Sequence, residues 1–257
     1  MTSNTELWDT FSADYDRFVN WEERLARELP FLEALLAEYE ARTVLDVACG
    51  TGRHAIALAQ QGYAVAGADV SQEMISRARE NAKEARVEVD FAVAGFGALR
   101  QAMARQYDAL LCLGNSLPSV PDEVALGRAL EDMAQVLRPG GLLIIQNLNY
   151  DRLWPKRQRF LPLEAHREND QEWLFLRFVD FHQQSLTFNM VVLHKQNGSW
   201  NYWAESTELH PIFNRDLFRL LKQSGLASLD CYGDYGENPY VHASSGDLIV
   251  VATRLPG

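Results

Sequence analysis

Positive charge is in short supply in this chain of 257 residues: Lys and Arg number 24 against 35 Asp and Glu, a formal net charge of -11. That balance offers no basic field to a phosphate backbone, so DNA, RNA and anionic membrane surfaces are disfavoured as partners. Cysteine is scarce too. Cys49, Cys112 and Cys231 are odd in number, far apart and set among apolar neighbours, which reads as reduced structural thiols rather than a disulfide framework. No CxxC or HExxH cluster is present, so no metal site is expected. No apolar run approaches the about 18 residues that span a bilayer. The opening MTSNTELWDTFSADYDRFVN has neither the basic nor the apolar segment of a secretory signal, so the expected address is the cytoplasm.

What is abundant is core-forming material, at 47% hydrophobic and 11% aromatic residues. The length fits one large domain, or one domain carrying an inserted piece. Leu25, Leu29, Leu32 and Leu36 stand three or four apart, the spacing of one helical face, and Pro30 is expected to kink that helix or begin a second one. From Thr43 apolar strand runs alternate with amphipathic helices: TVLDVACG, a helix from about Arg53 to Gly62, YAVAGAD, a helix capped by Ser71, VEVDFAVA, and YDALLCL. A helix from about Pro121 to Leu137 then ends at Pro139-Gly140-Gly141, before the strand LLIIQNL. Such units form a right-handed parallel sheet covered on both faces.

Between about 149 and 210 the rhythm changes to two-residue alternation in EWLFLRFVDF, SLTFNMVVLHK and SWNYWAESTELH, with a hairpin turn at Asn197-Gly198. This is expected to be an antiparallel insertion. A helix capped by Asn214 and two strands, LASLDCY and DLIVVATR, follow. The organisation expected is a helical cap over 1–40, a Rossmann-like α/β domain from 41–148 and 211–257, and an antiparallel β lid over 149–210. Of the charge, residues 1–40 hold 10 acidic and 3 basic side chains, so most of the acidity belongs to the cap.

The chemistry concentrates in VLDVACGTGRHA. Gly50-x-Gly52-x-x-Ala55 satisfies the loose dinucleotide pattern, and Asp69 stands 19 residues beyond Gly50, where a ribose-binding carboxylate belongs. Nicotinamide and S-adenosylmethionine sites share these features. Asp46 separates them, because a carboxylate at the end of the first strand repels a pyrophosphate but suits a cationic methionyl ammonium and sulfonium. A nicotinamide-dependent oxidoreductase and a non-catalytic S-adenosylmethionine-binding regulator remain the rival readings.

The words VLDVACGTG, GADVS and LRPGGLL together resemble the class I S-adenosylmethionine-dependent methyltransferases, and CLGNSLPSVPD with GGLLIIQNLNYD resembles the glycine and sarcosine N-methyltransferase group. The resemblance implies a seven-stranded, mostly parallel sheet, S-adenosylmethionine as cofactor and S-adenosylhomocysteine as product. It implies Asp46, Ala48, Gly50 and Gly52 around the methionyl part, Asp69 on the ribose hydroxyls and Val70 on an adenine face. Leu113 and Asn115 would sit beside the transferring methyl. Arg24 stands where that group keeps an arginine for the methionyl carboxylate, although a solvated helical face accounts for it as well.

Two departures bear on the substrate. Ala94-Gly95-Phe96 replaces an acidic word that serves the adenine amino group, and Leu148 stands where glycine enzymes place a carboxylate-binding arginine, which makes glycine itself a doubtful substrate. The acceptor expected is a small molecule, methylated on nitrogen or oxygen. Tyr15 and His210 are singled out as polar aromatics for the reaction, from a set that includes His182, His194, Tyr150 and Tyr235, each of which also fits ordinary packing. Gly114-Asn115-Ser116-Leu117-Pro118 lacks the N/D-P-P-Y/F word of nucleic-acid or glutamine methylation. Self-association stays open.

Overall fold

Alternation of strand and helix carries the first half of the chain. The computed structural model describes residues 5–103 and 105–256. Two helices, α1 (Glu6–Phe18) and α2 (Trp21–Glu38), precede β1 (Thr43–Val47), α3 (Arg53–Gln60), β2 (Ala64–Asp69), α4 (Gln72–Ala85), β3 (Asp90–Val93) and α5 (Leu99–Ala102). Next come β4 (Tyr107–Cys112), a 3-10 turn at Leu117–Ser119, α6 (Glu123–Val136), β5 (Leu137–Leu148) and α7 (Tyr150–Lys156). Then follow β6 (Glu164–Glu168), β7 (Gln171–Phe181), β8 (Leu186–Gln196), β9 (Ser199–Leu209), α8 (Asn214–Gln223), β10 (Leu226–Tyr232) and β11 (Asp247–Arg254). No described helix is long and apolar enough to cross a membrane.

The larger sheet has seven strands in the order β10-β11-β5-β4-β1-β2-β3. β3, β2, β1, β4 and β5 pair parallel, whereas β11 runs antiparallel to both β5 and β10. The one antiparallel strand, β11, therefore lies not at the edge, where an antiparallel strand was expected, but one place in. Near-continuous apolar runs arise because both faces are covered: Leu110, Cys112, Leu143, Ile145 and Val250 meet α6 and α8, while Ala109, Leu111, Leu142, Ile144 and Val251 meet α2, α3 and α4. Strand order reverses between β1 and β4, so a crevice opens beyond their carboxyl ends.

Three local expectations are corrected. α2 continues as one helix through Pro30, so no second helix begins there; its stripe of Phe31, Leu32, Leu35 and Leu36 is buried in the core, and that burial outweighs the lost backbone bond. Asn214 is not the cap of α8; Phe213 holds that place without a side-chain bond, and the Asn214 N–H donates instead to Asp151 Oδ2 at 3.0 Å. The Pro139-Gly140-Gly141 segment lies within β5, as a register shift in its pairing with β4.

The insertion is a four-stranded antiparallel meander, β6-β7-β8-β9. Its inner face contributes Trp173, Phe175, Met190 and Val192 to a cluster with Leu7 and Phe11 of α1. α1 is in turn fastened to the large sheet by one carboxylate. Asp16 accepts from Thr51 Oγ1 (2.6 Å), Trp21 Nε1 (2.9 Å) and Asn81 Nδ2 (3.1 Å), and from Arg53 Nη2 (2.6 Å) and Nε (3.1 Å). Asp9 adds a second tie, accepting from Ser71 Oγ at 2.5 Å. Removing the hub strands several donors at once, so Asp16→Ala is expected to cost about 2 to 3 kcal/mol in urea unfolding, with α1 becoming susceptible to limited proteolysis.

Candidate active site

The loop after β1 is shaped by backbone conformations that few residues tolerate. Ala48 (φ +57°), Gly50 (φ +53°) and Gly52 (φ +76°) all lie in the left-handed region. At Gly52 an added Cβ would stand 2.8 Å from the Phe91 ring and 3.0 Å from Ala78 Cβ, so glycine is required there by conformation and by space. Gly52→Ala is expected to destabilise the fold by about 2 to 4 kcal/mol in denaturant unfolding, combining left-handed strain with overpacking.

This loop borders a cavity of about 890 Å³ between the carboxyl ends of β1, β2 and β4, the leader helices and the insertion. Tyr15, Arg24, Ala48, Gly50, Asp69, Val70 and Asn115 line it, so seven of the sequence-derived residues converge on one space. Asp69 is buried, with Oδ2 accepting the Gly50 N–H and Oδ1 the Ser71 N–H, both at 2.9 Å. Burial raises its pKa above the ordinary carboxylate value, and those two bonds hold the rise in check. Val70 is 49% exposed, presenting an apolar face beside Ala94, Gly95 and Phe96.

Arg24 is not on a solvated face: its side chain is 18% exposed, against the cavity. Its Nε donates to Glu28 Oε1 at 3.0 Å, and Glu28, itself 2% exposed, also meets His54 Nε2 at 2.7 Å and Arg27 Nη2 at 3.3 Å. Burial alone would raise the Glu28 pKa, but the bonds to His54 and Arg24 outweigh it and lower it. The His54 pKa is lowered too, in its case by burial, which disfavours the charged imidazolium. The result is an ionised, buried carboxylate that fixes the direction of Arg24. Nearby, the Tyr235 hydroxyl is buried on the cavity wall without a partner.

The other four expected residues do not face the cavity. Asp46 lies beneath the loop on the α2 and α3 side of the sheet, 3% exposed; burial, then the neighbouring Asp69, pushes its pKa up to about 8. Gly52 caps α3, and Leu113 is 4% exposed within the core. His210 is not in the wall either; its backbone N–H donates to the Pro118 carbonyl at 2.7 Å, closing the insertion onto the large domain. Alternation in β9 could not reveal this, because His210 falls just past the strand. Asn115 does line the cavity, yet its side chain is engaged structurally, donating to Tyr150 Oη at 3.1 Å and accepting the Leu148 N–H at 3.0 Å.

Several wall residues had escaped the sequence reading. Gln146 accepts the Gly114 N–H at 2.7 Å and donates to Asp247 Oδ1 at 2.9 Å, steadying the turn after β4. A polar residue inside the covered run LLIIQNL is the signal that could have exposed it. Glu28, Asp247 and Arg177 complete the set.

The chemistry of the donor set tests which ligand fits. The loop is flanked by Asp9, Asp16 and Asp69, acidic groups that oppose a pyrophosphate and suit a cation, and Asp46 beneath it joins them once ionised. A Cβ at Gly114 would stand 3.4 Å from Arg24 Nη2 and one at Gly50 3.5 Å from the Tyr15 ring, so both glycines keep the passage beside Arg24 open. These residues fit S-adenosylmethionine: Asp69 for ribose hydroxyls, Val70 and Phe96 for the adenine, and Arg24 for a carboxylate. Among the described residues no cluster could hold a metal ion.

Comparison with known proteins agrees. Residues 44–141 match the family described as methyltransferase domain. The chain is 38% identical over 148 residues to a glycine/sarcosine N-methyltransferase of Parasynechococcus marenigrum, an alignment spanning 58% of this chain but only 52% of that protein. It is 27% identical to the glycine/sarcosine N-methyltransferase of Halorhodospira halochloris, over 90% of this chain and 82% of the relative. In fold it is similar to an S-adenosylmethionine-dependent methyltransferase from Clostridium acetobutylicum, with a TM-score of 0.80 at 18% identity, covering 98% of this chain and 100% of that one. By its glycine loop and strand order the chain has the class I methyltransferase fold, and by these matches it is similar to S-adenosylmethionine-dependent methyltransferases.

Proposed function

We propose that the protein transfers a methyl group from S-adenosylmethionine to the nitrogen of a small molecule. The observation that carries this reading is the single cavity joining the Asp69, Val70 and Arg24 wall to the apolar inner face of the insertion. When bound, the cofactor supplies an electrophilic methyl on a sulfonium. The residues of the chain do the rest by position. Asp69 holds the ribose, Arg24, oriented by Glu28, holds the carboxylate, and the paired α1 and insertion sheet exclude water. Keeping nucleophile and methyl at attack distance supplies on the order of 7 to 11 kcal/mol.

Nitrogen is favoured over oxygen by the protonation of the cavity hydroxyls. Burial raises the pKa of Tyr15, Tyr150 and Tyr235, that of Tyr150 to about 12, so none is a ready phenolate base. A neutral amine brings its own lone pair and needs no base to attack, whereas an aliphatic hydroxyl does. The names of the curated relatives point the same way. Leu148 on the cavity wall leaves the carboxylate of glycine without a cation there, so the acceptor is taken to be larger than glycine.

Calorimetry and turnover test the reading together. S-adenosylhomocysteine is expected to bind the wild type, Asp69→Ala to lose about 1.5 to 3 kcal/mol of that affinity, and an amine panel to release S-adenosylhomocysteine from S-adenosylmethionine. Absence of binding would overturn the assignment. The Asp46 pKa adds a signed dependence. Its carboxyl is protonated below about pH 8 and gains attraction for an ammonium only once ionised. Ligand affinity is therefore expected to rise with pH towards 8, by up to about tenfold per unit, and to flatten in Asp46→Asn.

A further inference from the structure

The inner face of the insertion is apolar along much of its two central strands. Along β7 the inward residues are Trp173, Phe175, Arg177, Val179 and Phe181, and opposite them on β8 stand His194, Val192, Met190, Phe188 and Leu186. Arg177 is the one guanidinium in that double row, and Glu164 of β6 and Glu205 of β9 stand in register on the flanking strands. The end bearing Trp173, Phe175 and Val192 is filled by α1. The other end faces the cavity, with Val179, Phe181, Leu186, Phe188 and Met190 on its wall and Arg177 among them.

Arg177 is poorly compensated there. Its side chain is 18% exposed, and its Nη2 makes both of its hydrogen bonds, to the Pro162 carbonyl at 3.2 Å and to Glu164 Oε1 at 3.3 Å. The buried Nε has no partner. The guanidinium lies over the Phe18 ring, 4.7 Å from its centroid, which fixes its plane without supplying an acceptor. Glu164 is 50% exposed at the rim, so its long contact is screened by water. A guanidinium on the cavity wall, answered only by long contacts and neighboured by Val179, Phe188 and Met190, matches an oxyanion carried on an apolar body.

We propose that the methyl acceptor is an amphipathic molecule whose anionic group, a carboxylate or a phosphate, seats on Arg177 while its apolar body lies along Val179, Phe188 and Leu186. This builds on the methyl-transfer reading for the reaction but not for the anion site. Arg177 is a specificity residue: it selects and orients the acceptor at a distance from the reacting nitrogen. It does on the insertion side what Leu148 cannot do on the sheet side.

Octanoate, octyl phosphate and octanol, titrated into the S-adenosylhomocysteine-loaded protein below their micellar concentrations, test this. At least one anion is expected to bind about tenfold more tightly than octanol, and the stronger of the two identifies the head group. Arg177→Gln is expected to erase the preference while leaving octanol affinity and the thermal midpoint unchanged. Glu164→Gln, which frees the guanidinium from its rim partner, is expected to strengthen anion binding severalfold, a gain that misfolding cannot imitate. No preference for either anion in the wild type, or equal weakening of all three probes in Arg177→Gln, would overturn the proposal. If S-adenosylhomocysteine fails to bind, the methyl-transfer reading falls, and the same titrations on the ligand-free protein decide the anion site separately.

Discussion

Much of this architecture hangs on the Asp16 carboxylate. It gathers donors from Trp21, Thr51, Arg53 and Asn81, and so ties α1 to the glycine turn, to the first turn of α3 and to α4. Because the pair with Arg53 is partly shielded and two of its donors share Oδ2, within a network that also fills Oδ1, it belongs to the stronger class of ion pairs rather than to the surface kind. The insertion has no independent core: its inner face is completed by Leu7 and Phe11 of the helix that Asp16 holds. Cofactor loop, leader and insertion are thus one mechanical unit, joined at a carboxylate that touches none of the expected ligand positions on the cavity wall.

A second carboxylate, Glu28, organises the polar end of the cavity. An unpaired charge at that depth would be costly, and the protein resolves it with two guanidinium groups and a histidine kept from charging by burial. Arg24 thereby presents a defined edge to the cavity instead of sampling rotamers. The two ends are built on different logic: around Glu28 charges compensate one another, and around Arg177 the apolar wall leaves one cation incompletely answered.

Sequence made the sheet legible because its pattern is local. The period-2 and period-3.6 rhythms survive in β1 to β5, and the Ser71 cap, the Asn197-Gly198 turn and the Gly50 to Asp69 spacing follow from short-range rules, whereas Ala48 and Val70 come from the family resemblance. The hubs did not, because they are long-range. Asp16 finds Arg53 37 positions away and Glu28 finds His54 26 positions away, and nothing in the local composition marks either pair. His210 misled because its nearness to the returning chain is real, but only its backbone is used. α7 and β6 were missed for another reason: one is short and the other polar, so neither carries an apolar period.

The place of β11 has a consequence for the order of assembly. β10 hydrogen-bonds to no other strand of its sheet, and β5 meets β10 only through β11. Until residues 247–254 leave the ribosome, β5 keeps an open apolar edge with Leu143 and Ile145 beside it, and β10 with α8 hangs on helix packing alone. A nascent chain of this protein passes through a state whose open edge strand is also one of its most hydrophobic. That interval, closed when β11 emerges, exposes the chain to edge-to-edge association with its neighbours.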